Sequence, residues 1–345
     1  MTEIQEALSH WKVPTSDRSI ERFGSGHIHK TFLVKIAKEP SFILQELNTE
    51  VFKNPGHISS NIRGVAEYLE RTAPDYLFPA PILTNQGEEP LYLNGKTWRL
   101  TRFIPNSYSP NELSDPDQAF KAARAFGELT RLLDKTPMER FAETIPDFHN
   151  LRFRFQQFQE SLEQSTAERR KLADELTQYY LDNFHLVETY DCIVKEKRLP
   201  LRIQHHDTKI NNILFDKTTH KTLAICDLDT LMPGYFISDL GDMIRTYTSA
   251  ENEESTNWDA IKVRPQYLKA LLDGYLSEME PFLTTTEKQH LSYAGEFMIY
   301  MQGLRFLADY LNGDIYYPVK YDLNNFNRAK NQMILLEDYR LNCPK

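Results

Sequence analysis

The chain has 345 residues, too many for one hydrophobic core, so two domains are expected. Hydrophobic residues make up 41% and charged residues 26%, the balance of a soluble globular protein; the net charge of −9, with no basic block, argues against nucleic acid as a partner. No apolar run approaches the ~20 residues of a membrane span, the acidic start MTEIQEALSHW lacks the features of a signal peptide, and three scattered Cys (Cys192, Cys226, Cys343) fit free thiols in a reducing cytoplasm.

Residues 2–12 read as a short helix, and 19–23 as a strand leading into the glycine turn Gly24-Ser25-Gly26-His27. Two glycines between strand-like runs let a backbone approach phosphate closely, although GxG alone is a weak signal. Residues 41–47 form a third strand. Residues 57–72 carry helical spacing at Ile58, Ile62, Val65 and Leu69. Two strands, 91–93 and 96–104, flank Asn94-Gly95, a strong hairpin signal. Pro105 and Asn106 then break the pattern, so 101–106 is the expected hinge, with the backbone of Arg102, Phe103 and Ile104 placed to meet a nucleotide base.

Beyond the hinge the chain turns helical. Asp115-Pro116 starts a helix, with Ser114 or Asp115 as its cap. ETIPDFHN (143–150) is a loop. Residues 151–180 read as one charged helix whose Phe153, Phe155 and Phe158 are core, and 184–197 as another. Ser238 is a plausible cap for a helix opening at 238–242. Helices follow at 264–280, 286–312 and 323–339.

The stretch 201–229, LRIQHHDTKINNILFDKTTHKTLAICDLD, carries the chemistry. Asp207 follows two histidines, Lys209 comes two residues later and Asn212 five. Two apolar strands follow, and the second ends in Asp227-Leu228-Asp229. A base Asp, an Asn on a metal and a second Asp beyond a hairpin is the spacing of a kinase catalytic loop. Phosphoryl transfer needs such a set: a carboxylate to accept the hydroxyl proton, and hard oxygen ligands for Mg²⁺. Asp207 is therefore the expected base, and Asn212 and Asp227 the metal ligands. Asp229 either ligates metal or orients the loop. His205 braces the loop. The ordinary alternative, a hairpin whose Asn212 and Asp229 merely cap turns, does not account for the conjunction.

These residues resemble the aminoglycoside and choline phosphotransferase family, small-molecule kinases with the protein-kinase-like fold. Within it they are similar to N-acetylhexosamine 1-kinases, through FGSGHIHKTFLV, FILQELNTEVF, WRLTRFI, HHDTKINNILFD, AICDLDTLMPG, DLGDMIR and LRFLADYLNGDIYY. The resemblance implies an α+β, bilobal protein-kinase-like fold. Its β-rich N-lobe (1–104) would carry the nucleotide-binding antiparallel sheet. Its mainly helical C-lobe (105–345) would carry the catalytic loop and sugar site. It implies ATP as phosphoryl donor, Mg²⁺ as cofactor and the anomeric hydroxyl of a sugar as acceptor, with no membrane partner. Gly24, Ser25, Gly26, Gln45, Arg102, Phe103 and Ile104 would meet nucleotide; Asp207 and Lys209 would be catalytic; His27, Arg305 and Tyr316 would meet substrate. Arg305 lies in an apolar helix segment and needs a partner or a cavity; an i,i+4 ion pair with Asp309 is the alternative. Tyr316 or Tyr317 would stack on the ring, or be a core aromatic.

One departure stands out. A third-strand Lys usually holds the nucleotide phosphates; here Gln45 occupies that strand, and Gln has no charge to supply. The competing readings are a kinase of another small alcohol (choline, homoserine, an aminoglycoside) and a non-catalytic nucleotide sensor.

Overall fold

Alternating apolar and polar residues in the first hundred positions fold into five antiparallel strands: β1 (Arg18–Arg22), β2 (Lys30–Ile36), β3 (Phe42–Leu47), β4 (Leu91–Leu93) and β5 (Lys96–Arg102), in the order β1-β2-β3-β5-β4. The structure, a computed structural model, describes residues 2–24, 28–37 and 40–343. It divides into two compact units. The first comprises Met1–Pro110, Leu132–Pro146 and Asn211–Pro233; the second comprises Asn111–Arg131, Asp147–Ile210 and Gly234–Lys345. A division at 104/105 follows the chain, whereas these units follow space, so their segments interleave.

In the first unit, Asn94 and Gly95 both adopt positive φ (50° and 74°) and close the β4–β5 hairpin, as the Asn-Gly pair predicts. Val34, Leu44, Trp98 and Leu100 bury one face of the sheet together with Leu8 and Trp11 from helix α1 (Glu3–Leu8) and the residues after it. Each such large side chain contributes about 1.5–3 kcal/mol of apolar burial. Helix α2 (Pro55–Thr72) buries Ile58, Ile62, Val65 and Leu69, the stripe its spacing predicts. A second small sheet pairs β6 (Ser107–Tyr108) with β8 (Ile213–Asp216), and β8 with β9 (Thr222–Ile225); the intervening strand β7 (Arg202–Gln204) belongs to the second unit.

The second unit is built of helices: α3 (Pro116–Leu132), α4 (Leu151–Gln164), α5 (Ala167–Leu172), α6 (Asp174–Asp182), α7 (His185–Lys195), α8 (Phe236–Thr248), α9 (Pro265–Met279), α10 (Thr285–Gln289), α11 (Leu291–Leu311) and α12 (Asn324–Asn342). Asp115 caps α3, its carboxylate accepting the Gln118 N–H at 2.8 Å. Helix α11 is buried on nearly every face and packs against α4, α8 and α12. Phe155 and Phe158 are core, as expected, whereas Phe153 is only half-buried, with the Arg154 guanidinium over its ring.

Three expectations need correcting. The helix expected over 151–180 is three: Ser165 is extended, and the Thr166 hydroxyl accepts the Arg169 N–H to cap a new start. The helix expected over 286–312 breaks at His290. Ser238 is not a cap; α8 begins two residues earlier at Phe236, which buries Ser238 inside the helix. Among the described residues no helix is long and apolar enough to cross a membrane.

Candidate active site

In the second unit the Asp207 loop is held from below by two acids of α8. The buried Asp239 carboxylate accepts the backbone N–H groups of His205 (2.8 Å) and His206 (2.7 Å). Asp242, one turn on, accepts the Thr208 N–H at 2.8 Å, and the Tyr247 hydroxyl donates to the Thr208 carbonyl at 2.7 Å. His206 takes a left-handed conformation (φ 64°), and its Nδ1–H donates to the Gln204 carbonyl at 3.1 Å. His205 packs edge-on against Phe126 and accepts the Asp207 N–H at 3.3 Å. These contacts fix the backbone on both sides of Asp207. The Asp207 side chain stays 23% exposed, with the Lys209 ammonium 3.1 Å from its carboxylate. Burial pushes the Asp239 carboxyl up to about 6, against the pull of His205 and the two backbone donors. Asp239 and Asp242 were given no role by sequence; the signal was two acids three apart in the apolar first half of a helix.

In the first unit Asn212 and Asp227 sit together at the open end of the β8–β9 hairpin. Ile213 pairs with Ile225, and the Cys226 N–H donates to the Asn212 carbonyl at 2.8 Å. Asp227 follows in a left-handed conformation, φ 58°. Among the described residues no three His, Cys, Asp or Glu side chains cluster closely enough to cage a metal. An amide and a carboxylate at one hairpin mouth nevertheless fit Mg²⁺, which takes one or two protein oxygens and completes its shell with phosphate and water.

Asp229 is differently placed. Its buried carboxylate is gripped by Arg99, Nη1 to Oδ1 and Nη2 to Oδ2 at 2.9 Å, and His29 Nε2–H donates to Oδ2 at 2.6 Å. The Asn48 N–H donates to His29 Nδ1 at 3.0 Å, which assigns that tautomer. Burial works against ionisation, but Arg99 and His29 hold this carboxyl well below the usual carboxylate range. Asn61 of α2 donates to the Leu231 carbonyl at 2.9 Å, tying down the same loop. Gln45 pairs with Arg99 across the sheet, and its Nε2 donates to Thr31 at 3.1 Å. Arg99 was missed by sequence, because nothing local marks a strand Arg as a partner for residues so far along the chain.

Ser25, Gly26 and His27 lie outside the described residues; Gly24 has φ 78°. Arg102 ends β5, the Phe103 N–H donates to the Ser41 carbonyl at 2.9 Å, and the Ser107 hydroxyl donates to the Ile104 carbonyl at 2.6 Å. In the second unit Arg305 does not pair with Asp309, whose carboxylate instead accepts the N–H groups of Ile315, Tyr316 and Tyr317. Arg305 donates to Gln302 at 3.0 Å and lies 5.6 Å from the ring centres of Phe148 and Tyr317. Tyr317 is half-buried and meets Phe306 edge-on, while Tyr316 is 68% exposed.

An antiparallel sheet unit and a helical unit with an Asp207 loop of this build define an α+β protein of the protein-kinase-like fold. The phosphotransferase enzyme family matches residues 19–282, from β1 through α9, and the chain belongs to that family. Among solved structures it is similar to a microcompartment-associated aminopropanol kinase (17% identity, 98% of this chain and 97% of that one covered, TM-score 0.64). It is similar also to an aminoglycoside phosphotransferase from Alicyclobacillus acidocaldarius (12%, 98% and 95%, 0.66) and a choline kinase from Cryptosporidium parvum (14%, 98% and 94%, 0.55). At these identities the likeness is one of fold.

Proposed function

We propose that this phosphotransferase is a small-molecule kinase that moves the γ-phosphoryl group of ATP to the anomeric (C1) hydroxyl of an N-acetylhexosamine, giving the sugar 1-phosphate. The observation that carries the kinase chemistry is the clamp on the Asp207 loop, two buried carboxylates fixing the backbone of His205, His206 and Thr208. A base held this way needs little reorganisation when the acceptor proton moves. Support for a sugar acceptor comes from the motif LRFLADYLNGDIYY and its Arg305, and the relatives named above point to alcohol acceptors generally.

In this reading Asp207 Oδ accepts the hydroxyl proton, and Lys209 Nζ steadies the carboxylate beside it. Asn212 and Asp227 offer their side-chain oxygens to Mg²⁺, which when bound spreads the charge on the phosphate oxygens. Asp229 positions that loop through Arg99 rather than joining the metal set, because Arg99 and His29 already engage its oxygens. Gly24, Ser25 and Gly26, with Gln45, Arg102, Phe103 and Ile104, would border the nucleotide; His27, Arg305 and Tyr316 would face the sugar. A hemiacetal hydroxyl is more acidic than an ordinary alcohol, so a carboxylate base suffices. A cytoplasmic location accords with this reading, given three free thiols and ATP as donor.

Incubation with ATP and Mg²⁺ across N-acetylglucosamine, N-acetylgalactosamine, choline, aminopropanol and an aminoglycoside, read by phosphorus NMR, tests it. A sugar 1-phosphate is expected. A phosphate elsewhere on the sugar, turnover of an amino alcohol alone, or no turnover at all overturns it.

A further inference from the structure

Around Phe148, two guanidinium groups have no ion-pair partner among the described residues, although the Asp147 carboxylate acts on Arg154 from further off. Arg154 donates Nη1 to Gln157 (2.8 Å) and Nη2 to the Phe148 carbonyl (3.1 Å), while its Nε is shielded from solvent without a partner. Arg305 has Gln302 as its hydrogen-bond acceptor and lies against the Phe148 and Tyr317 rings. Among the described residues neither makes an ion pair. Their neighbours in the same unit behave otherwise: Arg245 pairs with Asp242 and Glu253, and Arg328 with Glu253. The His149 ring stacks on Phe148 at 4.5 Å and lies 5.2 Å from His206, the residue before Asp207. Its Nδ1 is shielded and unpartnered. Burial first, then the positive groups around it, hold this imidazole neutral, so it can donate or accept. Burial and the adjacent Arg305 also lower Arg154, to about 10.

Shielded positive charge without a partner is costly unless a ligand supplies the missing acceptor. The planar fork of Arg matches an sp² oxygen or a carboxylate oxygen pair. An ammonium there would be repelled, since cationic ligands favour acidic or purely aromatic cages. We infer that Arg154, Arg305 and His149 Nδ1 form an acceptor subsite for an electron-rich carbonyl group, either an N-acyl carbonyl or a carboxylate, and that this subsite excludes acceptors bearing an ammonium. The inference rests on the small-molecule acceptor reading above and deepens it by naming two specificity-determining residues, Arg154 and His149, that no motif marked.

Calorimetric titration of the nucleotide-free protein tests it with ligands sharing one ring: N-acetylglucosamine, glucuronate, glucose and glucosamine, with choline alongside. N-acetylglucosamine or glucuronate should bind roughly 10-fold tighter than glucose, and glucosamine and choline more weakly still; which of the first two leads identifies the carbonyl source. Arg154→Gln should erase that advantage and leave glucose within about 2-fold, and Arg154→Lys should restore part of it. Should Arg154→Gln fail to fold, judged by its melting curve, Arg305→Gln takes the same measurement. Glucosamine or choline binding as tightly as N-acetylglucosamine, an Arg→Gln change that weakens every sugar alike, or no binding by any oxygen-rich ligand overturns the subsite. The two readings fail separately. This ranking without transfer to C1 removes the anomeric kinase and keeps the subsite; transfer to C1 with glucosamine bound equally well does the reverse.

Discussion

Arg99 lies directly across the sheet from Gln45 and donates its Nε hydrogen to the Gln45 amide oxygen at 2.8 Å. Gln45 occupies the strand where kinases of this fold place a phosphate-binding Lys. The positive charge in this protein thus sits one strand over. Its other donors are spent on Asp229, two residues beyond the proposed metal ligand Asp227. Burial opposes the Arg99 charge and the Asp229 carboxylate outweighs it, so the guanidinium is held above its ordinary range. Arg99 therefore acts as a strut between the sheet and the loop that follows Asp227.

Removing one side of this buried pair strands the other. Arg99→Met leaves the Asp229 carboxylate buried with His29 as its remaining side-chain partner among the described residues, and should cost roughly 3–5 kcal/mol. The double change Arg99→Met with Asp229→Leu should recover most of that loss. Urea unfolding followed by tryptophan fluorescence reads it, with the buried Trp98 beside Arg99 as reporter.

Asp207→Asn keeps the shape of the loop and removes the proposed base. Turnover should fall roughly 10²-fold or more while acceptor binding is nearly unchanged. Asp227→Ala should abolish metal-dependent turnover with an unaltered far-UV circular dichroism spectrum, because it removes a hard oxygen ligand. Unchanged turnover in either variant removes the role assigned to that residue.

Asp239 makes stability depend on pH. In the folded protein its carboxyl titrates near 6, above the ordinary 3.8, so between these values the native state holds a proton that the unfolded chain releases. Its contribution is fully present below the unfolded value and is lost as pH rises through about 6. Asp239→Asn should flatten that part of the profile, while loosening the His205–His206 turn at all pH values. Melting temperatures of both proteins at intervals across this window show whether the slope disappears.

Gly241 sits between the two clamping acids, where α8 crosses α11. A Cβ there would meet the Ala294 carbonyl oxygen at 2.2 Å and the Met298 Cβ at 2.9 Å. Gly241→Ala must push the helices apart, at about 3 kcal/mol, and move Asp239 and Asp242 with them. Loss of turnover should therefore exceed what the melting-temperature drop alone predicts.

What the sequence determined by itself was local or periodic. The Asn94-Gly95 turn, the stripe of α2, the Asp115 cap and the two-strand hairpin after Asn212 each depend on residues a few positions apart, where propensity and spacing decide. So does the segment from Asp207 to Asp227, whose residue types and intervals carry the proposed kinase chemistry. The α+β class follows from the same periodicities. Where local reading erred, a capping residue had been passed over: Thr166 starts a new helix because its hydroxyl satisfies an N–H left bare by the break at Ser165. What only the tertiary structure decided is who holds these residues. Gln45 finds Arg99 through strand register, and Arg99 finds Asp229 across 130 positions. Asp239 and Asp242 reach the Asp207 loop because Gly241 lets α8 lie close against α11. Arg154, His149 and Arg305 meet around one phenylalanine. Buried charges and backbone donors must find partners wherever packing brings them, and sequence separation carries no record of that choice.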